Sequence, residues 1–279
     1  MHYAGCEVGF LTQHGKDVLL STLFQEKLDC QIVRADGFDT DQLGTFTRDI
    51  HRPGSQLAAA KLKAKKSIEL TGFPFGLGSE GAFGTDPVSG VLPWNTEILV
   101  WLERDSGLEV IGVAQGPGGG FHRSVKNLKE LRDFANQADF PNHALVIMPN
   151  QLAMNSIVKG IKDWDTLEKA FYATVDVGKS DHIFVEVDLR AHMNPSRQKM
   201  IFRAAEDLIT KISSQCPACA APGFWKKAHV SGLRCSSCSR PTRLPLVNIW
   251  GCGTCGFSER KEQSGVERAD PSKCDYCNP

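Results

Sequence analysis

Apolar positions along the chain switch repeatedly between the short period of a strand and the longer period of a helix. An apolar run from Glu7 breaks at Gly15 and passes into residues 17–28, where leucines recur at helical spacing. Gln31–Ala35 reads as a second short strand. Ser55 is placed to cap a helix from Gln56 to about Leu70, with Leu57, Ala60, Ala64 and Ile68 as its apolar stripe and lysines at 61, 63, 65 and 66 crowding it. After a turn over residues 71–74, the run Gly76–Gly84 carries one carboxylate, Glu80, between Gly78 and Gly81. Residues 97–102 and 108–113, separated by Asp105-Ser-Gly107, predict a β-hairpin. Gly116–Gly120 reads as a loop and a candidate lid, Ser124 as the cap of a helix to about Ala138, and His143–Met148 as a buried strand. A helix over 163–177, a last strand over 183–189, and a helix over 196–213 begun by Asn194-Pro195 complete the pattern.

This order predicts an α/β fold, a mixed twisted sheet flanked by helices, over residues 1–214, with a small zinc-ribbon region over 215–279. A length of 279 residues with 41% hydrophobic content suffices for one sizeable core and an appendage. The 32 basic and 32 acidic side chains cancel, so the whole molecule gives no reason to expect a polyanion partner. Charge is uneven, however: from Cys216 onward there are nine Lys/Arg against five Asp/Glu. No apolar run approaches the roughly 20 residues of a membrane span, and the first residues lack the features of a signal peptide, so the expectation is a cytoplasmic protein without a membrane partner.

Glycine tolerates close approach, so Glu80 is expected at a strand end, presented to a cleft; a Gly-rich turn with a solvated Glu would show the same residues. Thr12, His14 and Lys16 lie where a strand turns into a helix, a geometry that favours anions because free N–H groups and the helix dipole point at the turn. Asp36, Asp39 and Asp41 can ligate a hard cation or simply form a polar turn. Arg190, His192 and Arg197 gather at a second strand-to-helix corner.

Eight of the ten cysteines form four Cys-x-x-Cys pairs: Cys216/Cys219, Cys235/Cys238, Cys252/Cys255 and Cys274/Cys277. In a reducing compartment this spacing means two four-thiolate structural zinc sites. Sequential pairing into two tandem ribbons is preferred because each adjacent set encloses a hairpin's worth of residues; interleaved pairing is the alternative. Lys226, Lys227, Arg234, Arg240 and Arg243 with Phe224, Trp225 and Trp250 offer a contact to nucleic acid, or equally to protein.

His14-Gly15-Lys16, Ser79–Gly84, Arg190–Arg197 and Cys277-Asn278-Pro279 resemble the marks of an uncharacterised bacterial family, a domain of unknown function, which implies no activity. More remotely, residues 7 to about 84 resemble the first half of the inosine triphosphate pyrophosphatase superfamily, with Thr12, His14 and Lys16 at its phosphate turn, Lys61 on its Lys/Ala-rich helix and Glu80 at its magnesium-binding acid. The Arg190-Ala-His192 corner is similar to its Ser-His-Arg segment. The departures are a His in place of Asn, a lysine one residue early, and a single acid, Glu80, where paired acids are expected.

The resemblance implies a magnesium-dependent hydrolase of a nucleotide or related phosphorylated metabolite. Glu80 with Asp36, Asp39 or Asp41 would hold the metal, Lys16, Lys61, Arg190 and Arg197 would meet the phosphates, and His192 would read the base or shuttle a proton. The alternative is a non-catalytic protein that senses a nucleotide-like ligand while its ribbons dock on nucleic acid or protein.

Overall fold

The computed structural model of the chain describes residues 2–40, 54–149, 157–178, 182–262, 265 and 267–278. Two compact units emerge, Tyr3–Ile209 and Thr210–Pro279. Among the described residues there are five α-helices, and none is long and apolar enough to cross a membrane.

In the first unit, β1 (Glu7–Leu11), α1 (Lys16–Leu28), β2 (Gln31–Arg34), α2 (Gln56–Thr71), β3 (Phe75–Thr85), β4 (Pro93–Glu103) and β5 (Glu109–Pro117) build a mixed sheet in the order β2-β1-β3-β4-β5. β1 runs parallel to β2 and β3, and β3, β4 and β5 form an antiparallel meander. A second, antiparallel sheet has the order β6-β9-β7-β8, from β6 (His122–Val125), β7 (Leu145–Met148), β8 (Val158–Ile161) and β9 (Ile183–Val187). Its own core includes Leu131 and Phe134 of α3 (Leu128–Gln137), Leu167 and Phe171 of α4 (Trp164–Gly178), and Leu145, Ile147 and Val185 of the sheet. The last helix, α5, covers Pro195–Ser213.

Strand register assigns the faces of the first sheet. Gly76 and Gly78 of β3 turn toward α2, where a methyl group on either would collide with the carbonyl oxygen of Ala64 or Ala60, so the helix lies directly on strand backbone. Ala60, Ala64 and Val100 pack there with Leu57, Ile98 and Leu102. On the opposite face Phe24 of α1 stacks on the fully buried Trp101, with ring centroids 6.4 Å apart. Gly112 of β5, the register partner of Leu99, gives α5 the same close approach against Ala204. The result is α2 on one side of the sheet and α1 with α5 on the other.

Local chemistry sets the ends of the helices. Ser55 caps α2, its hydroxyl accepting from the Ala58 N–H at 3.1 Å. Pro195 opens α5, and the Asn194 side chain accepts from the Arg197 N–H at 2.9 Å. The expected helix start at Ser124 is corrected: Ser124 and Val125 pair with Phe184 and Ile183 in β6, and Asn127 caps α3 instead. Val125 is fully buried, and that side chain commits the segment to the sheet. The short strand β8 was not anticipated, and β5 runs into the expected loop as far as Pro117.

Replacing Gly78 by Ala is expected to lower stability by about 1–3 kcal/mol, the usual range for overpacking, because the obstacle is helix backbone. Gly84→Ala, with no atom within 4 Å of the added methyl, is expected to leave the urea midpoint unchanged. Equal midpoints for the two variants would contradict the close contact.

Candidate functional site: a switch-point crevice and two cysteine quartets

Outside the carboxyl end of β1, the chain departs along α1 on one face of the sheet, whereas α2 returns to the neighbouring β3 on the other. Such a reversal leaves a crevice at the strand ends, the usual ligand position in open α/β sheets. β1 stops pairing with β3 at Leu11 and Gly78, so Ser79, Glu80 and Gly81 lie just beyond its end. The turn into α1 places His14 (φ 68°) and Gly15 (φ 72°) in consecutive left-handed conformations, and no side chain caps the helix.

Lys16, the first residue of α1, is 7% exposed and donates to the Ser79 hydroxyl at 2.8 Å. An ammonium has three donors. Among the described residues, no carboxylate lies within ion-pair reach of this one. Burial pushes its pKa down to about 7; Arg197 and Lys63 act in the same direction, against Glu97 and Glu80. His14 stacks on His192, with centroids 5.0 Å apart and an interplanar angle of 20°. Burial first, then His192, Arg190, Lys16 and Arg197 hold His14 down at about 4, and burial followed by Arg190 lowers His192 against the opposing pull of Asp188. Two uncharged rings therefore line a cleft of roughly 230 Å³ together with Gly15, Val18, Leu19 and Gln198.

The acids lie differently from their sequence expectation. Glu80 is in the middle of β3, not at a strand end, and is only 5% exposed. It belongs to the α2 face, where it forms an ion pair with Lys63, and this replaces the expectation of a carboxylate presented to a cleft. Lys61 does not reach this place; it is bonded to Glu109 at 2.7 Å on a half-exposed surface. Glu97 of β4 pairs with Arg197 at 2.7 Å, and Asp188 accepts from Arg190 through both carboxylate oxygens. Asp39 accepts from Gln13 at 3.0 Å, next to the turn, and Asp41 lies outside the described residues. His14 and His192 thus line the cleft, Thr12, Lys16 and Arg197 are buried, Arg190 is tied to Asp188, and Glu80 lies across the sheet.

Sequence reasoning missed Ser79 and Glu97, and preferred Lys61 to Lys63. Helical spacing held the signal for Lys63: Ala60, Ala64 and Ser67 are fully buried, and Lys63 falls on their side of α2 whereas Lys61 does not. Glu97 had no such signal, since its alternating neighbours fit either face.

In the second unit the cysteines form two quartets, Cys216/Cys219/Cys252/Cys255 and Cys235/Cys238/Cys274/Cys277, with the sulfurs of each quartet within 4.8 Å of one another. The pairing is interleaved, which corrects the preference for sequential ribbons. β11 (Pro245–Gly251) is the middle strand of the unit's sheet, and its exit brings Cys252 back to the first knuckle rather than on to a new one. Four Sγ–Sγ separations are 3.6–3.8 Å. Zinc with bonds of about 2.3 Å to four tetrahedral sulfurs requires edges of about 3.8 Å, so these donors fit two closed zinc sites of the structural kind. They are the groups placed to hold a metal among the described residues; the acids do not assemble a comparable set for magnesium.

Fold and site together define an α/β protein with a histidine-lined cleft beside the buried Lys16 and Arg197, and a C-terminal unit organised by two zinc-compatible quartets. The chain belongs to the family of the domain of unknown function DUF6671, whose model matches residues 63–279. No curated protein and no solved structure matches it. The expected likeness to inosine triphosphate pyrophosphatases is not shown by these comparisons. Lys63, Ser79, Glu80, Glu97, Arg197 and both quartets fall inside the matched region, and Thr12–Lys16 precede it.

Two outcomes are expected. The double variant Cys216→Ser/Cys252→Ser keeps one complete four-thiolate site, read as one equivalent of tetrahedral cobalt absorption; sequential pairing would leave none. Glu97→Gln leaves Arg197 buried without its charge partner and is expected to cost about 3–5 kcal/mol in a denaturant titration.

Proposed function

We propose that the first unit binds a phosphorylated, nucleotide-like small molecule in the crevice, its phosphates against Lys16 and the uncapped start of α1. The observation that carries this reading is Lys16 itself: a buried ammonium at a switch point whose one hydrogen-bond partner among the described residues is the Ser79 hydroxyl. An anion would complete its donors and reach the free N–H groups of the helix start. Arg197 and Arg190 add positive potential nearby, although each already holds a carboxylate. The stacked, uncharged His14 and His192 offer a flat surface to a planar ring.

Hydrolysis of that ligand is the chemistry the sequence resemblance suggests. The described donors do not fit magnesium, because Glu80 is held by Lys63, Glu97 by Arg197 and Asp188 by Arg190. Binding is therefore the step the geometry supports, and no metal-dependent step is derived.

The test is calorimetric binding of standard and non-standard nucleoside mono-, di- and triphosphates to the zinc-loaded protein, with phosphate and pyrophosphate release followed in magnesium and in EDTA. Lys16→Met is expected to weaken binding at least about tenfold, the scale of one lost charge-assisted contact. A bound anion favours the ammonium and raises the Lys16 pKa from about 7 in the free protein, so binding takes up a proton above that pH. Affinity should accordingly be level below pH 7 and fall by up to about tenfold per unit above it. Lys16→Met should abolish this slope. Absence of binding by every member of the panel, or an unaltered Lys16→Met, would sink the proposal.

A further inference from the structure

The second unit carries a surface that the crevice reading does not use. β10 (Trp225–Ser231), β11 and β12 (Ser258–Glu262) form an antiparallel sheet in that order. Register places Lys226 and Glu259 on either side of Trp250, and His229 and Lys261 on either side of Asn248. Directly paired residues of antiparallel strands share a face, as do residues two apart in one strand, so these six side chains form one patch.

Lys226, His229 and Lys261 are exposed, and Trp250 and Asn248 are half-buried. The Lys261 ammonium stands 4.7 Å from the Trp250 ring centroid. Glu259, the single acid of the patch, is bonded to Lys261 at 3.1 Å. The segment around the patch is basic, with nine Lys/Arg against five Asp/Glu from Cys216 onward.

A half-buried aromatic ring between flanking cations matches two parts of one kind of partner. Bases stack on the ring, and phosphates meet the lysines. An acidic peptide would engage the lysines and leave the ring without a stacking partner. A duplex hides its base faces and meets a flat sheet poorly. We propose that this face of the β10–β12 sheet binds single-stranded nucleic acid.

The test is fluorescence anisotropy of labelled single-stranded RNA, single-stranded DNA and duplex DNA of one sequence with the zinc-loaded full chain across a salt series. Both single strands should bind more tightly than the duplex, and their relative affinity identifies the sugar preferred. Lys226→Ala/Lys261→Ala should weaken single-strand binding and flatten the slope of log affinity against log salt by about 1.4, the share of two phosphate contacts. Trp250→Leu keeps an apolar side chain over Phe224 and removes the stacking ring; an affinity loss of about tenfold is expected. Lys226→Ala/Lys261→Ala should bind the nucleoside phosphate panel as the parent protein does, which separates this proposal from the crevice reading. Duplex binding as tight as single-strand binding, or an undiminished affinity in the double-lysine variant with both metals retained, would overturn the assignment.

Discussion

A charge pair removed from water is costly unless its remaining hydrogen-bonding capacity is met by the protein. Arg197 and Glu97, with side-chain exposures of 1% and 0%, satisfy that condition and in doing so join three parts of the first unit. The Arg197 Nε donates to Glu97 on β4 at 2.7 Å, one terminal nitrogen donates to the Leu189 carbonyl just past β9, and the backbone N–H is held by Asn194 at the start of α5. One guanidinium thus ties a strand of the first sheet to the exit of the second and to a helix terminus. Gly81, opposite Glu97 in register, makes this possible, because a methyl group there would collide with both partners. The same corner sets His192 against His14, so the shape of the cleft depends on a pair that no ligand needs to touch.

Periodicity in the sequence was enough to locate most helices and strands, since the stripe of α2 and the apolar runs of β1, β7 and β9 are strong local signals. It did not show which side of the sheet each acid would face. Glu80 looks like a presented carboxylate when only Gly78 and Gly81 are considered; in the fold those glycines admit helix backbone and the Arg197–Glu97 pair respectively, not a ligand. Thr12, His14, Lys16 and the Arg190–Arg197 corner were legible as anion-favouring chemistry, because the cue is local, a strand running into a helix start. Their convergence was not, since it depends on the order β2-β1-β3, which no single segment encodes. The cysteine spacing likewise gave the ligands without the partnership, because interleaved and sequential quartets use identical local motifs.

The interleaving has a consequence for assembly. The stretch between Cys219 and Cys252 contains Cys235 and Cys238, and the stretch between Cys238 and Cys274 contains Cys252 and Cys255. Each ion therefore closes a loop in which half of the other site is threaded. Loop closure costs entropy that grows with the logarithm of loop length, and the first ion bound already shortens the loop the second must close. Metal affinity in such a unit is also folding free energy. Half-loaded chains are thereby disfavoured relative to empty and full ones, and the two quartets are expected to fill together rather than as two independent clasps.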